Sequence, residues 1–74
     1  MDSREYTYEG NRPSIHPTAS VSREATLAGS VLVEADVTVW PGAVLRGDVA
    51  PVELGAEAAI GDNAVLHGST VGEG

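Results

Sequence analysis

The chain has 74 residues, about half the length of a typical domain, so it has room for one small domain at most. It contains no cysteine, which excludes disulfides and thiolate metal sites, and no apolar run long enough for a membrane span or a secretory signal, so we expect a cytoplasmic protein. Eleven acidic residues against four arginines and no lysine give a net charge of -7, which argues against nucleic acid as a partner.

The first fourteen residues show no repeat, so we expect an irregular lead-in over 1–14 and a repetitive domain over 15–74. From Ile15 onward, an aliphatic residue recurs at every sixth position, with one three-residue slip. The series is Ile15, Val21, Leu27, Val33, Val39, Leu45, and then Leu54, Ile60 and Leu66. A small residue stands four positions after each member: Ala19, Ala25, Val31, Val37, Ala43, Val49, Ala58, Ala64 and Thr70. A period of six fits neither the 3.6 residues of a helical turn nor one continuous strand.

A six-residue period fits a coil with three flat sides, each a short strand and a turn, with the aliphatic residue inside and the small residue at the corner. Three sides make a coil of about eighteen residues, and successive coils stack at about 4.8 Å through parallel strand pairing. The nine repeats therefore predict an all-β solenoid of three coils. The slip predicts a small loop at 50–53, bulging from a corner between the second and third coils, because Pro51 cannot donate to a strand ladder.

The residue after each inward aliphatic must face outward, because side chains alternate along a strand. Counting by coil places Ala28, Arg46 and His67 one above another on a single outer side. Asp48 follows Arg46 by two positions. The pattern therefore predicts a cation, a carboxylate and an imidazole on one outer surface, which is what a site shared between two subunits would need.

Each of these polar or aromatic residues also has a purely structural interpretation. Arg46 and Asp48 are as readily explained as an ion pair between subunits, since interface charges often set register. His16 precedes Pro17 on a different side of the first coil, which favours a surface or cap residue. Trp40 faces outward on the remaining side, and we expect it to pack against a neighbouring subunit or a terminal segment.

Three segments carry a resemblance to a known family: RPSIHPTASV, VTVWPGAVLRGDVAPVELG and LHGSTVGEG. Six-residue repeats alone are weakly specific, but VWPGAVLRGD followed at this spacing by DNAVLH is much more diagnostic. The chain resembles the gamma-class carbonic anhydrase-like branch of the bacterial hexapeptide-repeat proteins. The resemblance implies a left-handed parallel β-helix, a homotrimer, and a metal site at each subunit interface.

That resemblance implies metal-dependent, reversible hydration of carbon dioxide, with zinc, or else iron or cobalt, as the metal. It assigns catalytic roles to Arg46 and Asp48 and a metal-ligand role to His67. A catalytic zinc takes three protein ligands, whereas only one of the two histidines is in place and Asp62 is at best a substitute donor. The later coils and the C-terminal helix expected from the resemblance do not occur in these 74 residues, so we expect either a shortened homologue or a truncated reading frame. We therefore expect an impaired hydratase.

Two other functions stay open at this stage. One is a non-catalytic scaffold or assembly module, which trimerises or pairs with a longer homologue. The other, weaker alternative is an acyltransferase of the hexapeptide-repeat type, which would need a histidine base in a coenzyme cleft between long coils. The first alternative requires no chemistry from Arg46, Asp48 or His67.

Overall fold

The computed structural model describes residues 4–68 and 70–72, and every regular element within these ranges is a β-strand. The strands are β1 (Arg4–Tyr6), β2 (Ser14–Ile15), β3 (Ser20–Val21), β4 (Thr26–Val33), β5 (Thr38–Val39), β6 (Val44–Leu54), β7 (Ala59–Ile60), β8 (Val65–His67) and β9 (Thr70–Val71). All pairings between them are parallel, and they form a solenoid of about three coils, as the repeat predicts, with the left hand that the resemblance implies. No helix in the described ranges is long and apolar enough to cross a membrane.

The solenoid has three faces. Face one contains β1, the first part of β4, the first part of β6, and β8. Face two contains β2, the second parts of β4 and β6, and β9. Face three contains β3, β5 and β7. Strands β4 and β6 therefore run around the corner between faces one and two, which makes this corner the most continuous part of the ladder.

The core contains the aliphatic residues that the six-residue period places inside. Seven of the nine are buried: Val21, Leu27, Val33, Val39, Leu45, Leu54 and Ile60. Ile15 and Leu66, at the two ends of the series, are partly buried and pack against the others. Burying one such side chain contributes about 1.5–3 kcal/mol, so this stack is the main source of stability. The predicted inward set is confirmed.

The loop between the second and third coils differs from its prediction. The register pairs Gly29 with Gly47 and then Val31 with Val52, so residues 48–51 form an excursion opposite Ser30 alone. Val52 fills the buried corner position predicted for Val49, which is instead 87% exposed. The expected loop at 50–53 was thus wrong by two residues, because Val49 and Val52 suit a small corner position equally well and spacing cannot choose between them.

The lead-in is more regular than predicted. Strand β1 pairs in parallel with the first part of β4 and adds an outermost strand to face one. A tight turn follows, in which Tyr8 and Asn11 form an antiparallel bridge and Glu9 and Gly10 adopt positive φ angles of 50° and 83°. The expectation of an irregular segment up to residue 14 was therefore wrong for β1. Its three residues are all exposed, so no inward aliphatic signals the strand in the sequence.

Candidate functional site on face one

The outer surface of face one carries a vertical column of side chains. The strand registers align Tyr6 with Ala28, Ala28 with Arg46, and Arg46 with His67. The predicted stacking of Ala28, Arg46 and His67 is confirmed. Tyr6, on β1, extends the column by one more strand and was missed, because that strand was not predicted.

Asp48 joins the two charged members of this column. Its Oδ2 accepts a hydrogen bond from Nη2 of Arg46 at 2.7 Å, and its Oδ1 lies 2.7 Å from Nε2 of His67. The backbone N–H of Val49 donates to the same Oδ1 at 2.8 Å. Arg46 and Asp48 belong to β6, whereas His67 belongs to β8 of the next coil. We call this cluster of Arg46, Asp48 and His67 the face-one triad.

Electrostatics hold the Asp48 carboxylate in its ionised form. The hydrogen bond from the Arg46 guanidinium keeps the pKa of Asp48 well below its ordinary range, and the bonds from the Val49 N–H and from His67 lower that pKa further. The Asp48 side chain is 18% exposed, whereas those of Arg46 and His67 are about half exposed. The triad is thus a fixed anion flanked by two groups that still reach solvent.

The 48–51 excursion places Asp48 over the third coil. At its base, a Cβ on Gly47 would overlap the carbonyl oxygen of Ser30, so only glycine permits this close approach. At its far side, Ala50 packs beside Gly68, where an added Cβ would lie 3.0 Å from the Cβ of Ala50. The Gly68 N–H also donates to the carbonyl oxygen of Arg46 at 3.1 Å. These contacts fix the excursion against both neighbouring coils.

The described residues do not make up a zinc site in one chain. A catalytic zinc needs three protein donors, and no group of three or more His, Cys, Asp or Glu side chains comes together among residues 4–68 and 70–72. Both carboxylate oxygens of Asp48 are already engaged. Asp62, the substitute donor considered from the sequence, lies exposed in the turn before β8, and no hydrogen bond in the described ranges links it to His67. His67 is the single well-placed donor of the described chain.

The other singled-out residues lie away from the triad. His16 is exposed, and its Nδ1 accepts a hydrogen bond from the N–H of Thr18 at 3.1 Å, as expected of a surface residue. Trp40 follows β5 on face three and is 51% exposed. The Val49 N–H is a functional group that sequence reasoning missed, and its donation to Asp48 depends on the turn that begins the excursion.

Comparison with known proteins shows what the chain is similar to. It is 41% identical over 64 residues to "Uncharacterized transferase YtoA" of Bacillus subtilis, and 38% identical over 64 residues to a carbonic anhydrase of Geobacillus kaustophilus; each match covers 86% of this chain. A solved structure of a hexapeptide transferase family protein from Anaplasma phagocytophilum superposes with a TM-score of 0.93 at 35% identity over 99% of this chain. The chain is thus similar over most of its length to carbonic anhydrase-like hexapeptide-repeat proteins. No family model matches it.

This hexapeptide-repeat chain is shorter than the proteins it matches. It spans 37% of the Bacillus protein, 35% of the Geobacillus carbonic anhydrase and 45% of the Anaplasma chain. A third relative, the carnitine operon protein CaiE of Escherichia coli O157:H7, is 45% identical over 65 residues, which are 88% of this chain and 33% of that protein. The matches therefore cover most of this chain but less than half of each relative.

Proposed function

We propose that this chain is a carbonic anhydrase-like protein whose face-one triad forms the anion-binding part of a site for carbon dioxide and bicarbonate. The observation that carries the proposal is the Asp48 carboxylate bridging Arg46 and His67 across two coils. The similarity to a carbonic anhydrase over 86% of the chain supports it. The cytoplasm, where both forms of the substrate occur, is the proposed location.

Each member of the triad has a role that its geometry supports. Asp48 uses one oxygen to hold the Arg46 guanidinium, which is half exposed and keeps further N–H donors for a planar anion such as bicarbonate. The other Asp48 oxygen orients the imidazole of His67 through Nε2. With Nε2 held by Asp48, His67 has Nδ1 left as the nitrogen that would bind a metal. Arg46 therefore binds the anion, Asp48 positions the imidazole, and His67 would serve as a metal ligand.

A metal centre would need residues beyond those described. Zinc, or else iron or cobalt, is the proposed cofactor of the assembled protein, but His67 alone does not satisfy its ligand requirement. We propose that face one contacts another copy in a homotrimer, or a longer homologue, and that this partner supplies the missing donors. The isolated chain is accordingly expected to be a poor hydratase.

Stopped-flow hydration of carbon dioxide tests this function. The purified chain, loaded with zinc, iron or cobalt, is compared with His67→Ala and with His16→Ala, a matched control that follows β2 of face two. We expect low turnover by the isolated chain, and higher turnover when a longer carbonic anhydrase-like homologue is added, with only His67→Ala removing the gain. Fast turnover by the chain alone that is abolished by His67→Ala would show that three ligands assemble without a partner.

A non-catalytic assembly module is the second candidate, and the shortfall of metal donors favours it. In that case the Arg46–Asp48 pair sets the register of a subunit interface and the triad performs no chemistry. Sedimentation at micromolar concentration is the test, because Arg46→Ala should then dissociate the assembly while hydration remains undetectable with every partner.

Acyl transfer from acetyl-coenzyme A, measured on the same preparations, tests the transferase function that the names of two relatives suggest.

A further inference from the structure

A cleft of about 250 Å³ lies on face two, around the corner from the face-one triad. Its floor is the middle strand at residues 30–32 of β4. One wall is formed by residues 11–12, which lead into β2, and the other by residues 51–53 of β6. The cleft thus lies between the first and third coils, across the second.

The two walls carry opposite charges. Arg12 lies on the first-coil wall and Glu53 on the third-coil wall, and both are exposed. Leu32 pairs with Ser14 above it and with Glu53 below it, so Ser14, two residues after Arg12, and Glu53 stand two strand spacings apart, about 9.6 Å. Neither side chain forms an ion pair or a side-chain hydrogen bond within residues 4–68 and 70–72. The two charges therefore face one cleft without neutralising each other.

The rest of the lining is divided between polar and apolar groups. Asn11, beside Arg12, and Ser30, on the floor, provide hydrogen-bonding groups. Leu32, which is 39% exposed, and the ring of Pro51 provide apolar surface between the charged ends. The cleft thus has a cation at one end, apolar surface between, and an anion at the other end. This arrangement is complementary to a molecule with a carboxylate at one end, a short methylene chain, and an ammonium group at the other.

We propose that this cleft binds a small zwitterion, with its carboxylate on Arg12 and its ammonium group on Glu53. A guanidinium binds a carboxylate through two parallel hydrogen bonds, and a carboxylate accepts hydrogen bonds from an ammonium group. The cleft is smaller than most pockets for drug-sized ligands, which suits a ligand with few heavy atoms. The site does not depend on the face-one triad, so it goes beyond the function proposed above.

Titration of the ¹⁵N-labelled chain, followed by NMR, tests the proposal with 4-aminobutyrate as the probe. Butyrate and butylamine, which each carry one of the two charges, serve as comparison ligands. We expect the zwitterion to bind at least tenfold more tightly than either, with the largest amide shifts at residues 30–32 and 11–12. Arg12→Gln and Glu53→Gln should each weaken binding about tenfold, whereas Glu57→Gln, an exposed acid outside the cleft, should leave the dissociation constant unchanged.

Several results would overturn the proposal. Equal affinities for 4-aminobutyrate and butyrate would show that Glu53 takes no part, and shifts scattered over all three faces would show that no cleft site exists. Equal weakening by Glu53→Gln and Glu57→Gln would reduce the effect to the net charge of the chain. All three substitutions lie on exposed side chains, so their spectra should overlay on that of the parent outside the substituted positions.

Discussion

The corner between faces one and two is built in two ways in this molecule. In β4, Gly29 and Ser30 turn the chain directly toward Val31. In β6, the residues between Gly47 and Val52 leave the ladder and return, so that four residues span the corner that Ser30 spans alone in β4. The buried aliphatics on both sides of the two corners keep the same register. The core therefore tolerates an excursion at a corner, and the excursion is what places a carboxylate between Arg46 and His67.

The largest expected difference in stability is between two Val-to-Asp variants, one in the core and one in the excursion. Val39→Asp puts a carboxylate into a position that is 2% exposed, at a cost of several kcal/mol against a marginal total, and should unfold the chain. Val49→Asp makes the same change at the exposed tip of the excursion, where surface substitutions change stability by about 0.5 kcal/mol or less. Far-ultraviolet dichroism and thermal melting measure the folding and the stability of both variants. Identical melting of the two variants would contradict the assignment of inward and outward positions.

A smaller effect is expected where the excursion leaves the ladder. Gly47→Ala should destabilise the chain by about 1–3 kcal/mol, because the added methyl group overlaps the Ser30 carbonyl oxygen and forces the backbone to shift. Gly61→Ala is the matched control, since its Cβ would meet no atom within 4 Å, and it should be neutral or slightly stabilising. Urea unfolding measures the free energy of unfolding of both variants. A Gly47→Ala variant as stable as Gly61→Ala would show that the two strands are further apart at this corner.

The smallest effect concerns the pH dependence of stability. Because the pKa of Asp48 is lowered in the folded chain, its contribution is fully present above the ordinary pKa of aspartate, about 3.9, and is lost as the pH falls below it. The difference in urea midpoint between the parent and Asp48→Asn should therefore shrink on acidification below about pH 4. Asp62→Asn controls for the loss of one negative charge. An Asp48→Asn difference that persists unchanged to the lowest pH would contradict an ionised, bridged carboxylate.

The sequence predicts the parts of this fold that depend on buried periodicity. Leu27, Leu45 and their equivalents mark the inner surface, and from them the stacking of Arg46 under His67 follows by counting. Strand β1 is not predictable in this way, because its side chains are exposed and only its backbone pairs with β4. The residue at which the excursion begins cannot be predicted from the sequence either, since it depends on a close backbone approach at Gly47 and not on hydrophobicity. The bridging of Asp48 depends on that start.

Zinc binding by the isolated chain tests the central claim most directly, namely that face one holds a polar triad with a single well-placed metal donor. Equilibrium dialysis against micromolar zinc, followed by metal analysis, gives the number of zinc ions held per chain. The account predicts weak binding well below one zinc per chain, because one imidazole does not form a three-donor site. One tightly held zinc per chain, lost in His67→Ala and kept in His16→Ala, would contradict it.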